Sequence, residues 1–249
     1  MTDHHLDLDY IATSATQSST GPRELWVVRL GTIAYGEALE LQRTLAAERI
    51  TGSIPQDILL LLEHPPVVTL GRSAKKANLV ASADYLRSRG VEVFEVERGG
   101  DVTFHGPGQL VGYPIFDLRR HKPDLHWYLR QVEQALIDSL RTYEIEAERS
   151  SGFTGVWTNG RKIASIGVHV RDWVTWHGFA LNVTTDLSYF ELIVPCGIDG
   201  VTMTSIERER GFVEIEDVGS RVAEAFGRGF NLQIIDLGIE QLTAELRAS

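Results

Sequence analysis

Residues 159–183 leave this chain little freedom in how it can fold. Asn159-Gly160 supplies two residues that tolerate positive φ, the requirement of a two-residue hairpin turn. Downstream of it, residues 161–170 and 174–183 read as extended segments joined through a second turn near Arg171-Asp172. A meander of this kind commits the chain to antiparallel pairing. Strict alternation along its first strand puts Lys162, Ala164, Ile166 and Val168 on one face.

Other elements group around that meander. Residues 25–30 read as a strand, followed by Ala38, Leu41, Leu45 and Ala46 at helical spacing with Gly52 as the stop signal. Residues 57–63 and 66–70 read as short buried strands around Pro65 and Pro66, although Leu59–Leu62 by itself fits a helix equally well. Ser82 caps a short helix ending at Gly90, a strand follows at 91–96, and extended segments are expected at 102–105 and 109–116. The clearest helix is 124–143, with Asp124 as cap and Leu125, Tyr128, Leu129, Val132, Leu136 and Leu140 as its apolar stripe. Helices are expected again at 217–227 and 239–247. Helices inserted between groups of hairpin strands, without regular βαβ alternation, predict an α+β fold with a mixed, mainly antiparallel sheet.

Length and charge narrow the function classes. The chain has 249 residues, no internal repeat and no long linker, which favours one domain over 23–249 preceded by a flexible acidic extension at 1–22. With 24 Lys+Arg against 34 Asp+Glu the net charge is −10, unsuited to a general nucleic-acid or anionic-membrane binder. No apolar run approaches the roughly 20 residues of a membrane span. No Lys or Arg precedes Arg23, so a signal or transit peptide is not expected and a cytoplasmic location is. The single cysteine, Cys196, excludes an intrachain disulfide and any multi-cysteine metal site.

Three segments combine glycine with polar residues where packing needs neither. Residues 98–109, ArgGlyGlyAspValThrPheHisGlyProGlyGln, would bring backbone close to a ligand, or form a solvated turn; they match neither common phosphate-loop pattern. Lys162 leads an apolar face at a hairpin end, where it is either a snorkelling surface residue or a partly buried acid or base. Pro195-Cys196-Gly197 sets the only thiol on a turn, as inert packing or as a nucleophile; at a free pKa near 8.5 only about 3% is thiolate at pH 7, so catalysis would need a neighbouring base.

Taken jointly these segments resemble the octanoyltransferase, or lipoyl(octanoyl) transferase, family. The resemblance rests on ArgGlyGly-x-x-Thr-x-HisGlyProGlyGln at 98–109, Lys162-Ile163 with Ser165-Ile166-Gly167, HisGly-x-AlaLeuAsnVal at 177–183, and Pro195-Cys196-Gly197, in that order. It implies the fold of lipoate and biotin protein ligase catalytic domains. It also implies an acyltransferase moving octanoyl from octanoyl-acyl carrier protein to a lysine of lipoyl domains, through a thioester on Cys196, in the first step of de novo protein lipoylation. Lys162 would be the partner acid and base. Arg98, Gly99, Gly100, Asp101, Val102, Thr103, Phe104, His105, Ser165, Ile166, Gly167, Gly178, Phe179 and Ala180 would line the acyl and carrier site. No cofactor and no metal are expected, and His105, His169 and His177 lack H-x-x-x-H spacing.

Acceptors implied are the lipoyl domains of 2-oxoacid dehydrogenases and the glycine cleavage H protein, with a monomer as the expected state. Both partners in that family are acidic, so the resemblance implies a local basic patch; Arg72, Lys75 and Lys76 form one candidate run, and Arg119, Arg120, His121 and Lys122 another, each otherwise an ordinary solvated basic surface. The competing expectations are an ATP-dependent lipoate or octanoate ligase on the same fold and a non-catalytic acyl carrier protein-binding module.

Overall fold

Leu59–Leu62 belongs to a strand, and the two sides of that strand organise the molecule. The computed structural model describes residues 23–197 and 200–248, without the side chains of Lys76, Ala83, Cys196 and Ala248; the 1–22 extension lies outside the described residues. In chain order the elements are β1 (Glu24–Thr32), α1 (Tyr35–Thr51), β2 (Asp57–Glu63), β3 (Val67–Leu70), α2 (Ala83–Ser88), β4 (Glu92–Glu95), β5 (Val102–His105) and β6 (Gln109–Ile115). They continue with α3 (Leu125–Arg141), β7 (Gly155–Thr158), β8 (Arg161–Arg171), β9 (Val174–Asn182), α4 (Ile206–Arg210), α5 (Ile215–Phe230), β10 (Gln233–Asp236) and α6 (Ile239–Ala248). A seven-stranded sheet runs β10-β1-β2-β6-β9-β8-β7 and a three-stranded sheet runs β4-β3-β5. Only β1–β10, β1–β2 and β3–β4 are parallel, so the expected α+β domain with a mixed, mainly antiparallel sheet is what forms.

β2 is buried on both faces, which is why its sequence shows no polar alternation. Ile58, Leu60 and Leu62 join Trp26, Val28, Val111 and Tyr113 beneath α1, whose Ala38, Leu45 and Ala46 close that core. Leu59 and Leu61 face the other way, into the core built with Phe179 and Leu181 and covered by α3 and α5 through Val132, Leu136, Val222 and Phe226. At 1.5–3 kcal/mol for each fully buried aliphatic side chain, these five residues contribute on the order of 10 kcal/mol of gross hydrophobic stabilisation. No helix among the described residues is long and apolar enough to cross a membrane.

Local signals act where expected. The Trp127 amide donates to the Asp124 carboxylate (3.0 Å) at the start of α3, and Gly52 (φ 86°) ends α1 with its N–H on the Glu48 carbonyl (3.0 Å). Asn159 and Gly160 adopt φ 50° and 71°, the two left-handed conformations of a type I′ turn. The second turn falls one residue later than expected, on Asp172 and Trp173 (φ 50° and 63°).

The face expected for Lys162, Ala164, Ile166 and Val168 is broken. Val156 pairs with Ala164 but Trp157 with Lys162, so Ile163 is an extra residue in β8. The bulge turns Lys162 to the side of Ser165 and Gly167, away from Ala164, while Ile163 and Ala164 enter the core together.

A buried ion cluster pins the loop after β6 to the end of α1. Asp57 accepts from Arg49 (2.6 Å), His121 (2.6 Å) and the Asp117 amide (3.1 Å), and Arg49 also donates to the Ile54 carbonyl (2.7 Å). Burial opposes ionisation of Asp57, but the His121 hydrogen bond and the Arg49 charge outweigh it and hold the carboxyl below its ordinary value. The stability this depressed pKa provides is present above the unfolded aspartate value near 4 and drains as pH falls through the lower folded value. Asp57→Ala strands the buried Arg49 and is expected to cost about 3–5 kcal/mol in urea unfolding at pH 7, with a smaller difference from wild type below about pH 4.

Candidate active site

β8 outruns its neighbour: β7 pairs only with residues 161–165, leaving the far half of that edge unpaired. The glycine-rich loop docks there, with the Gly99 N–H donating to the Val168 carbonyl (2.8 Å). Close contact requires glycine opposite, because a Cβ on Gly167 would lie 2.7 Å from the Gly99 carbonyl oxygen. Arg98 fixes the loop from inside. Its guanidinium donates to the Thr69 hydroxyl (2.9 and 3.1 Å) and to the carbonyls of Thr69 (2.7 Å), Asp101 (2.7 Å) and Gly99 (3.1 Å).

Between this loop, β5 and the β8–β9 ladder lies a cavity of about 310 Å³, within the range of small-molecule sites. Of the residues expected at the site, Arg98, Gly99, Gly100, Asp101, Thr103, His105, Lys162, Ser165, Ile166, Gly167, Gly178, Phe179 and Ala180 line it. Val102 and Phe104 do not. Alternation along β5 sends both into a separate apolar cluster, where Phe104 stacks on Tyr189 (4.6 Å), and turns Thr103 and His105 to the cavity.

Further lining comes from Tyr35, Tyr113, Leu125, Leu129, residues 152–154, Val168 and His177, none of which the sequence placed at the site. Leu125 and Leu129 looked like core residues of α3, but Leu125 is 38% exposed and both belong to the cavity wall. Residues 152–154 are held over the cavity by buried Glu133, which accepts from Arg130 (2.6 Å), Arg149 (3.0 Å) and the Gly155 amide (3.2 Å).

Lys162 is not a snorkelling surface residue: it is 1% exposed, lines the cavity, and carries its Nζ 4.9 Å from the Trp157 ring centroid. Its backbone is clamped to the segment after the cysteine turn, Lys162 N–H donating to the Thr202 carbonyl (2.8 Å) and Thr204 N–H to the Lys162 carbonyl (2.9 Å). Pro195–Gly197 forms a 3₁₀ turn beside Asp101; a Cβ on Gly197 would meet the Asp101 carboxylate at 2.6 Å. Asn78 ties the two together, donating from its side chain to Asp101 (2.6 Å) and accepting the Val194 N–H (2.7 Å). The cysteine turn is therefore held against Asp101, a residue of the cavity wall, while the Cys196 side chain lies outside the described residues.

A hydrogen-bonded chain joins the motifs. Gln109 donates to the carbonyls of Phe104 (3.2 Å) and Asn182 (2.9 Å), and Asn182 donates to Thr204 (2.9 Å). With both donors so engaged, the Gln109 oxygen faces His105 Nδ1 (2.8 Å), and Nδ1 carries the proton. Burial holds His105 as a neutral imidazole, its pKa lowered to about 3. His64 is likewise lowered by burial, to about 4, with its ring donating to the Ile33 carbonyl (2.8 Å) and accepting from the Tyr113 hydroxyl (2.7 Å). Among the described residues no group of three or more His, Cys, Asp or Glu side chains is placed to hold a metal ion.

The lipoyl protein ligase A/B catalytic-domain family matches residues 34–227. The chain is 53% identical over 207 residues to the octanoyltransferase of Solibacter usitatus, covering 83% of this chain and 93% of that one. It is 47% identical over 223 residues to the octanoyltransferase of Synechococcus elongatus, covering 90% and 94%. Among solved structures, a bipartite lipoate protein ligase from Thermoplasma acidophilum superposes with a TM-score of 0.69 at 18% identity, covering 91% of each chain, and a lipoate-protein ligase A bound with ATP with 0.69 at 17%, covering 92% and 94%. The chain belongs to the lipoyl protein ligase A/B catalytic-domain family and, within it, to the octanoyltransferases. It is an acyltransferase.

Because the folded pKa values of His64 and His105 lie below the unfolded value of 6.5, the unfolded chain takes up protons first as pH drops. Stability attributable to the two rings is complete above about pH 7.5 and falls on the order of 1–2 kcal/mol per ring by pH 5. Nitrogen-detected NMR should find both as neutral imidazoles from pH 8 to 5, with His105 in the Nδ1–H form; a His105 midpoint above pH 6 would contradict the burial argument.

Proposed function

We propose that this enzyme transfers an octanoyl group from octanoyl-acyl carrier protein to a lysine of a lipoyl domain through a Cys196 thioester. The observation that carries the reading is a buried lysine in the cavity wall, backbone-clamped to the segment that follows the only cysteine. In this reading Lys162 takes the Cys196 proton and the thiolate attacks the donor carbonyl. The carrier's thiolate leaves with the proton from Lys162. The acceptor amine then attacks the acyl-enzyme, its proton passes to Lys162, and the Cys196 thiolate departs. Thioester exchange is nearly balanced and amide formation is downhill, so ATP is not required. Backbone N–H groups of residues 165–167 or 195–197 are candidates for holding the developing oxyanion. Burying six methylenes in the cavity would contribute around 5 kcal/mol gross. The acceptors in this reading are lipoyl domains of 2-oxoacid dehydrogenases and the glycine cleavage H protein, and the enzyme acts as a cytoplasmic monomer.

Intact-protein mass spectrometry after mixing with octanoyl-acyl carrier protein, without ATP, tests it. Wild type should gain one octanoyl group that hydroxylamine removes; Cys196→Ser should gain none, and Lys162→Ala should acylate at least 100-fold more slowly. Acceptor modification that appears only with ATP and free octanoate would move the chain to the ligase reading.

The carrier docks, in this reading, on the first basic run. Arg72 and Lys75 are exposed beside the glycine-rich loop, the Arg72 amide donating to the Arg98 carbonyl (3.0 Å) and the Lys75 amide to Asp101 (3.3 Å). The second run is engaged internally, Arg119 with Asp117, His121 with Asp57 and Lys122 with Asp124. Reversing Lys75 and Lys76 to Glu should raise KM for the carrier about tenfold and flatten the salt dependence of transfer, with kcat changed less than threefold.

A further inference from the structure

The acyl cavity has an unexpectedly polar inner end. One face of the β8–β9 ladder forms a corridor of small residues, Ser165 and Gly167 opposite Ala180 and Gly178, leading from Lys162 toward His177. At its inner end Tyr35, Thr103, His105, Tyr113 and His177 converge, all no more than 7% exposed. Ring centroids of Tyr35 and His105 are 6.1 Å apart, those of Tyr113 and His177 6.5 Å. An octanoyl methyl group would normally be met by aliphatic side chains.

Several polar atoms here lack partners. The Thr103 hydroxyl and both ring nitrogens of His177 are buried with no hydrogen bond. The nearest carboxylate to His177, that of Glu97, is 3.9 Å from Nε2, beyond hydrogen-bond reach. His105 uses only Nδ1, leaving the Nε2 lone pair open. The Thr103 and His177 atoms are closed off from the cavity as well as unpaired, so the open His105 Nε2 is the buried acceptor that calls for water or a ligand.

The chemistry of that ligand follows from charge. Burial keeps His105 and His177 neutral and raises Tyr35 to about 12, so the inner end offers hydroxyls and imidazoles without formal charge. The adjacent cation, Arg98, has its guanidinium turned to Thr69, Gly99 and Asp101 in the wall. A carboxylate at the end of a chain would find no free cation in this floor. A neutral hydroxyl would find an acceptor in His105 Nε2 and a donor in Tyr35.

We propose that this acyltransferase accepts medium-chain acyl thioesters with a hydroxyl at or next to the end distal to the carbonyl, held by His105 and Tyr35. The proposal rests on the transferase reading for turnover but not for binding. The test compares octanoyl, 8-hydroxyoctanoyl and 4-hydroxyoctanoyl thioesters of N-acetylcysteamine by rate of acyl-enzyme formation, and the three free acids by calorimetry. Wild type should take 8-hydroxyoctanoyl within threefold of octanoyl and reject the 4-hydroxy isomer at least tenfold, since its hydroxyl falls in the corridor. In Tyr35→Phe, which keeps shape, the ratio of 8-hydroxyoctanoyl to octanoyl should drop about tenfold. A wild-type preference for octanoyl above 30-fold, equal use of both hydroxy isomers, or a ratio unmoved by Tyr35→Phe overturns the proposal. Loss of acylation with all three thioesters overturns the transferase reading instead, and the binding ratios of the free acids then decide the floor by the same limits.

Discussion

Two buried amides, Gln109 and Asn182, set the register on which the site depends. They are opposite residues of β6 and β9, and each donates beyond its own strand, Gln109 to the end of β5 and Asn182 to residue 204. Through them the small sheet, the large sheet and the segment after the cysteine turn are held at one spacing. Such a chain works as a unit, because removing one member orphans its neighbours at about 1–3 kcal/mol for each unsatisfied group. The orientation of the Gln109 amide also decides which nitrogen of His105 carries its proton, and therefore which one faces the cavity. Register and chemistry share one set of hydrogen bonds.

The space itself is made by omission. A Cβ on Gly112 would lie 2.1 Å from the Phe179 ring, and one on Gly178 would lie 2.1 Å from the Gly112 carbonyl. These glycines allow β6 and β9 to approach while Phe179 fills the opposite core, and they keep the β8–β9 face clear beside Lys162. Glycine in the middle of a strand weakens it. Here the strands are held from both sides by the two cores, so the loss is borne by packing elsewhere.

What the sequence made legible was what local chemistry decides. Asn159-Gly160 dictates its turn whatever surrounds it, Asp124 caps α3 through its own third neighbour, and the Gly-Gly and Gly-Pro-Gly pairs mark backbone approaching something. What stayed hidden depends on distant partners. β10 is four residues long and exists because β1 offers a parallel edge; no alternation within Gln233–Asp236 announces it. α4 is a single capped turn lying in the chain between the cysteine turn and α5. The bulge at Ile163 appears only in the pairing with β7, yet it is what turns Lys162 to the cavity side. Tyr35 and Tyr113 carry no motif, since a tyrosine at a helix start or in a buried strand reads as packing until the cavity beside it is seen. Leu125 and Leu129 fit the stripe of α3, and periodicity does not tell a core from a pocket.

The division of labour inside the cavity follows from burial. A useful base for a thiol of ordinary pKa near 8.5 must itself hold a proton well near neutrality. His105, at about 3, is too weak by several units, and His177 is pushed in the same direction. The imidazoles lining the wall are thus fit to orient hydrogen bonds and unfit to draw a proton from sulfur. Among the described residues Lys162 is the only amine side chain lining the cavity, and its backbone is bonded to the segment that follows the cysteine turn. A cysteine–histidine arrangement would require one of these rings to regain water or gain a carboxylate within hydrogen-bond distance, and the Glu97 carboxylate lies 3.9 Å from His177 Nε2. The same desolvation that silences the histidines therefore supports the reading proposed above, in which the proton work of transfer falls outside the imidazoles and to Lys162.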